Sequence, residues 1–266
     1  MLTVEPYLKW PGGKRWLAVS LRQIVGASDR YLEPFLGSAS VYLMTNAKEA
    51  ILSDVNPKLI DVHRVVRDHP KDLAKALKVF QSVHSKEHYY YIRSFIPVDQ
   101  VERAARFIYL NRTCFNGMYR ENRFGAFNVP VGDKTKIYNG DDEFTGASEK
   151  LSLARLMCCD FEDIIDEAKH GDLIYVDPPY TTAHNYNGFI KYNASLFTWE
   201  DQIRLRNSLE NALLRGAHFV MSNADHESIH TLYSGMARKS LARQSVVSGL
   251  PKGRSTTTEA FITSLG

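Results

Sequence analysis

The stretch that most constrains this chain is Leu173-Ile174-Tyr175-Val176-Asp177-Pro178-Pro179-Tyr180. An apolar run of strand length ends in a carboxylate, two prolines and an aromatic ring. Apolar runs bounded by turn residues read as short buried strands. The prolines stop the strand, since neither can donate to a ladder. Asp177 and Tyr180 are therefore expected at the carboxyl edge of a sheet, where open α/β sheets take their ligands. A strand followed by a plain tight turn is the simpler alternative.

A second strand pattern, Arg30-Tyr31-Leu32-Glu33-Pro34, closes on the loop Phe35-Leu36-Gly37-Ser38. An amphipathic helix follows to about Asn46, then a strand Ala50-Ile51-Leu52-Ser53 that ends at Asp54. This is a βαβ unit with an acidic residue about 20 positions beyond the first strand, the place from which a carboxylate holds a ribose. The later glycines of the dinucleotide fingerprint are missing, so the pattern favours a nucleoside-like cofactor without a pyrophosphate. Asp54 acting only as a helix cap is the alternative. Upstream, Lys9-Trp10-Pro11-Gly12-Gly13-Lys14 lets backbone approach a ligand closely. It is not a phosphate loop: no glycine stands at the required spacing, and Arg15 follows Lys14.

Residues 57–111 break the alternation of strands and helices. Leu73, Ala76, Leu77 and Phe80 recur at helical spacing, and a further helix runs from about Val101 to Leu110. Residues 61–149 thus read as an inserted helical domain, with 1–60 and 150–266 forming the sheet domain. Net charge over the chain is only +3, yet residues 61–136 hold 14 Lys/Arg against 8 Asp/Glu. Residues 234–258 add Arg238, Lys239, Arg243, Lys252 and Arg254 without an acid. Basic segments on a nearly neutral chain suit a polyanion, or are solvated helix faces. Between Asn111 and Gly125, arginines, asparagines and aromatics alternate through glycines. Such side chains fit phosphate contact, base-edge hydrogen bonding and stacking.

The strand pattern returns at Leu156-Met157-Cys158-Cys159, ending at Asp160-Phe161; a short helix then runs to His170 and is closed by Gly171. Residues 181–195 are long for a plain connection and read as a loop that covers a site. A helix over 199–215 leads to a strand at His218–Asn223, and strand-like Val246-Val247 and Ala260-Phe261-Ile262 end the chain. No run approaches the roughly 20 apolar residues of a membrane span, and Met1 to Lys14 lacks a signal-peptide core. Cys114, Cys158 and Cys159 form neither a disulfide framework nor a metal-ligand spacing. The chain therefore reads as cytoplasmic, with reduced thiols, no metal and no membrane partner.

A strand-end carboxylate beside Pro-Pro-Tyr suits reaction at an amine conjugated to a ring. The lone pair of such a nitrogen is delocalised, so it attacks poorly. Asp177 and the Pro178 carbonyl can accept its two N–H groups and turn the lone pair toward an electrophile, while Tyr180 stacks on the ring. Positioning and electrostatics then supply the rate. Asp177 need not abstract a proton.

On Lys9–Lys14, Glu33-Pro34-Phe35-Leu36-Gly37-Ser38, Ser53-Asp54-Val55-Asn56, the Asn111–Gly132 stretch and Asp177–Tyr180, the sequence resembles the DNA adenine methylase family. The blocks occur in the family's order across nearly the whole chain. The resemblance implies an α/β fold with the Rossmann-like sheet of S-adenosylmethionine-dependent methyltransferases and an inserted target-recognition domain. It implies N6-adenine methylation of double-stranded DNA, with GATC the favoured site and the adenine flipped from the stack. The Asp177, Pro178, Pro179 and Tyr180 motif would be catalytic. Trp10, Lys14, Glu33, Phe35, Gly37, Asp54, Asp160, Phe161 and Asp177 would hold S-adenosylmethionine. Lys9, Arg112, Asn116, Met118, Arg120, Asn122, Arg123, Asn128 and Pro130 would meet DNA, with Arg120 the guanine reader. For Arg112 and Arg123, surface ion pairing is the alternative. The chain departs from the family at Ala39, where a second glycine is usual. An amino-methyltransferase acting on RNA or another DNA site, and a DNA-binding protein without catalysis, are the competing readings.

Overall fold

The structure, a computed structural model, describes residues 3–117, 119–122, 124–183, 197–244 and 256–265. Its strands are β1 (Tyr31–Glu33), β2 (Ala50–Ser53), β3 (Ala154–Met157), β4 (Leu173–Val176), β5 (His218–Ala224), β6 (Ala237–Gln244) and β7 (Thr256–Thr263). They form a seven-stranded sheet of order β3-β2-β1-β4-β5-β7-β6. The β1–β4, β4–β5 and β2–β3 pairs are parallel, while β7 runs antiparallel to both β5 and β6. The order descends from 3 to 1 and then jumps to 4 and 5. β1 and β4 therefore flank the topological switch point at which open α/β sheets bind ligands. This is the expected Rossmann-like α/β architecture.

By backbone contacts the chain comprises two compact units, Met1–Ala27 with Leu36–Cys158, and Ser28–Phe35 with Cys159–Gly266. The first is mainly helical: α1 (Arg15–Ala27), α2 (Ser40–Met44), α3 (Pro57–Asp68), α4 (Pro70–Ser82), α5 (Lys86–Ser94), α6 (Gln100–Thr113) and α7 (Thr145–Leu151). Side-chain caps set the starts of α3, α5 and α6. The Asn56 side chain accepts from Lys58 N and Leu59 N, with Pro57 at the first helical position; Ser85 and Asp99 cap α5 and α6 in the same way. α4 turns Leu73, Ala74 and Leu77 inward, and α6 buries Phe107 through Asn111. In the second unit, all four residues of β4 are buried, as a continuous apolar run requires. Capping boxes start α8 (Phe161–Ile165) at Asp160/Asp163 and α9 (Trp199–Leu214) at Thr198/Asp201; α10 (Glu227–Leu232) completes this unit.

The structure corrects several boundaries. α2 stops at Met44, two residues before Asn46, and β3 begins at Ala154, so Cys158 and Cys159 lie beyond it. α8 ends at Ile165, well before His170; Gly171, at φ 84°, belongs to the turn into β4 and caps no helix. β6, with Arg238 and Lys239, has no counterpart in the sequence pattern because its residues alternate too weakly. The expected strand at Val246-Val247, most of the covering loop 181–195, and Lys252 and Arg254 lie outside the described residues. Among those described, no helix is long and apolar enough to cross a membrane.

Candidate active site and nucleic-acid face

In the second unit, the carboxyl ends of β1 and β4 carry the expected residues. Tyr31 and Leu32 pair with Leu173 and Ile174, which brings Glu33 and Asp177 to the same edge of the sheet. Asp177 follows the last residue of β4; Pro178 is buried, Pro179 exposed, and Tyr180 half-buried. Ser222 of β5 donates its hydroxyl to Asp177 Oδ1 at 2.7 Å, and Tyr175 Oη lies 3.3 Å from the same Ser222 oxygen. The Tyr180 phenol is held far above its ordinary pKa, first by burial and then by the charges of Asp177 and Glu259. It stays a neutral donor. Glu33, buried, accepts a 2.9 Å hydrogen bond from Tyr31.

Phe35 and Phe161 stack with ring centroids 5.5 Å apart, and Phe197 meets both. The Arg204 guanidinium lies 4.5 Å over Phe161 and pairs with Asp160 Oδ2 at 2.9 Å. Asp160 Oδ1 accepts from Glu162 N at 3.0 Å. Asp160 is thus both helix cap and ion-pair partner, and Arg204 is a residue the sequence gave no reason to single out.

In the first unit, Gly37 lies between two anchors. Its N–H donates to Asp54 Oδ2 at 3.0 Å, and its carbonyl accepts from His63 Nε2 at 2.8 Å. Asp54 Oδ1 accepts from Asn56 N at 3.0 Å. Burial raises the Asp54 pKa, and the two backbone N–H bonds oppose the rise. Gly37 sits at φ +51°, where a β-carbon would come within 2.9 Å of Trp10 Cδ1. Only glycine fits there without displacing the indole. Trp10 itself is stacked near Phe107 and Tyr119, whose centroids are 6.3 and 6.0 Å away. Buried Lys14 donates to the Gly12 carbonyl at 2.8 Å. Ala39 adopts φ 55° and is fully buried, so an alanine holds a left-handed position that glycine takes more easily. Trp10, Gly37 and Asp54 are thereby brought to one loop. His63, silent in the sequence because it looks like any helix residue, holds that loop from behind.

The expected DNA residues of this unit divide into two groups. Buried Asn111 accepts from Lys9 N at 2.9 Å and donates to Lys9 O at 2.7 Å, fixing the segment that carries Lys9. Lys9 Nζ donates to the Asn116 carbonyl, and desolvation with Lys134 nearby lowers its pKa. Asn116 is exposed at φ 55°, a conformation asparagine tolerates. Glu121 is bridged to Phe127, and Lys58 Nζ grips Glu121 at 2.9 Å and the Gly125 carbonyl at 2.8 Å. Exposed Arg120 donates through Nε to Asn128 Oδ1 at 3.2 Å. Its terminal nitrogens meet no partner among the described residues. Asn128 and Pro130 are exposed alongside.

Arg112 is placed differently. Its side chain is 11% exposed, bonds the Ile137 and Tyr7 carbonyls, and pairs with nearly buried Glu143. It ties helix to loop, as the ion-pairing alternative expects. Asn122 also works inside the loop, its Oδ1 accepting from Phe124 N at 2.9 Å and Ala126 N at 3.1 Å. Met118 and Arg123 lie outside the described residues.

A mixed sheet with its switch point between β1 and β4, and Asp-Pro-Pro-Tyr directly after β4, defines the class of α/β proteins that take their ligands at that edge. The chain belongs to the D12 class of N6 adenine-specific DNA methyltransferases, whose family model matches residues 10–247. It is similar to the type II methyltransferase M1.LlaDCHI of Lactococcus lactis subsp. cremoris, at 31% identity over 100% of this chain and 97% of that one. The DNA adenine methylase of Vibrio cholerae serotype O1 is 33% identical over 86% of this chain and 84% of its own length. The type II methyltransferase M.MjaIII of Methanocaldococcus jannaschii is 31% identical over 92% and 93% respectively. The protein is an adenine-specific DNA methyltransferase. S-adenosylmethionine is the general cofactor of this class.

Proposed function

We propose that the chain transfers a methyl group from S-adenosylmethionine to the N6 of a flipped adenine in duplex DNA, with GATC the favoured site, inside a bacterial or phage-infected cell. The observation that carries this reading is Asp177 at the end of β4, beside the switch point, with one carboxylate oxygen already oriented by Ser222. When bound, the cofactor supplies the electrophilic methyl group. Asp177 and the Pro178 carbonyl hold the two N–H groups of the adenine amine, and the Tyr180 ring stacks on the base. Asp177 keeps its role of positioning; the proton departs readily once the nitrogen is cationic.

For the cofactor, the residues implied by the family resemblance are Trp10, Lys14, Glu33, Phe35, Gly37, Asp54, Asp160, Phe161 and Asp177. Two features support this reading: Gly37 lets the backbone pack directly against the Trp10 indole, and Asp54 presents a carboxylate suited to ribose hydroxyls. Residues 61–149 are the target-recognition region. Within it, Arg120 reads guanine through its exposed fork, Asn116, Asn128 and Pro130 line the bases with Lys9, and surrounding lysines and arginines attract phosphate.

The test uses labelled S-adenosylmethionine with duplexes containing or lacking GATC, followed by methylation-sensitive digestion. Label in GATC duplexes alone is the expected result. No label in any duplex removes the activity; label independent of GATC removes only the site assignment. Asp177→Ala is expected to lose methyl transfer while DNA binding stays within about twofold of wild type.

A further inference from the structure

We propose that Ser222 is a positioning residue for methyl transfer, acting through Asp177; the inference rests on the reading of Asp177 given above. β4 and β5 are parallel, and Val176 stands opposite Met221. The next rung places Asp177 beside Ser222, with both side chains on one face of the sheet. The Ser222 hydroxyl is buried and donates to Asp177 Oδ1 at 2.7 Å, the length of a strong bond to a charged acceptor. Its oxygen also faces Tyr175 Oη at 3.3 Å. One hydroxyl on a rigid strand thus links the strand-end carboxylate to the phenol of Tyr175, two residues before it.

The chemistry explains why such a link matters. Asp177 sits after the last residue of β4, on a turn of two prolines, and its own strand no longer restrains the carboxylate. An acceptor for an adenine N–H must keep both its plane and its rotamer while charge grows on the nitrogen, since small misplacements at a reacting centre are costly. β5 runs on past Met221 to Ala224 and remains paired to β7 on its other side, with Ser222 opposite Phe261. Ser222 therefore transfers the rigidity of the sheet to Asp177. The hydroxyl also stabilises the ionised carboxylate, because it donates to the charged form.

Five enzymes decide the matter: wild type, Ser222→Ala, Ser222→Thr, Asp177→Asn and the double variant Ser222→Ala/Asp177→Asn. For Ser222→Ala, kcat is expected to fall roughly 10- to 100-fold. Dissociation constants for S-adenosylmethionine and duplex DNA, and the urea midpoint, should stay near wild type. The acid limb of its kcat–pH profile moves to higher pH, since the carboxylate loses a donor to its charged form. Ser222→Thr keeps the hydroxyl and restores most of the rate. In the Asp177→Asn background, removing the hydroxyl changes kcat by less than about twofold. Unchanged kcat in Ser222→Ala, a loss explained by weaker binding or a lower urea midpoint, or full additivity in the double variant overturns the inference. Wild type that methylates no duplex overturns the reading of Asp177 and this inference with it.

Discussion

Lowering the pH should loosen the Gly37 loop through one residue, His63. The Gly37 carbonyl can only accept, so His63 Nε2 carries the proton and Nδ1 accepts from the Tyr7 hydroxyl. Both His63 and Tyr7 are buried, and desolvation lowers the histidine pKa from 6.5 to about 4. Between those values the unfolded chain holds a proton that the folded chain does not. Stability from this group is therefore fully present above pH 6.5, declines as pH falls, and is gone below about 4. At about 1.4 kcal/mol per pH unit, the interval corresponds to about 3 kcal/mol. His63→Gln removes the titration and keeps a donor for Gly37. Urea unfolding of both proteins at pH 7, 6, 5 and 4 isolates the effect, because carboxylates titrate alike in each. The wild-type stability curve should converge on the variant's by about 3 kcal/mol across this range. Parallel curves would refute the buried neutral imidazole. Asp54 works in the opposite sense: its raised pKa makes its contribution fall as pH rises above the unfolded value.

Gly37→Ala should lose roughly 1–3 kcal/mol of stability in urea and weaken S-adenosylmethionine binding by roughly tenfold or more, since the left-handed backbone and the crowded indole both resist a β-carbon; unchanged binding by calorimetry would detach the loop from the cofactor. Arg112→Met should cost about 3–5 kcal/mol of stability by stranding Glu143, whereas the salt dependence of DNA binding should keep its slope; a shallower slope would return Arg112 to the phosphate contacts. Arg120→Ala should relax preference at a single base pair by roughly 1–3 kcal/mol in competition binding. An unaltered preference removes it as the guanine reader.

Local signals were legible where local physics suffices. The apolar run Leu173–Val176 is a buried strand because no polar residue offers it another face, and the prolines mark its end. Asn56-Pro57 and Thr198 announce helix starts because capping is a short-range bond. Charge counting singled out residues 61–136, since counting needs no partner. The Ala39 departure was visible as a substitution, although its left-handed backbone was not.

What remained hidden depends on residues far apart in sequence. Arg112 read as a DNA contact because an arginine in a basic, aromatic loop carries no mark of its partner; Glu143, 31 positions on, claims it only after folding. His63 lies 26 residues from the carbonyl it holds, and Ser222 lies 45 from the carboxylate it orients. The sequence by itself determined which segments could form strands and where a carboxylate would meet a sheet edge. Tertiary structure decided which hydroxyl, imidazole and backbone amide those groups would face. A hydrogen bond needs two atoms within about 3 Å, and pairs this distant in sequence meet only when strand order and register bring them together.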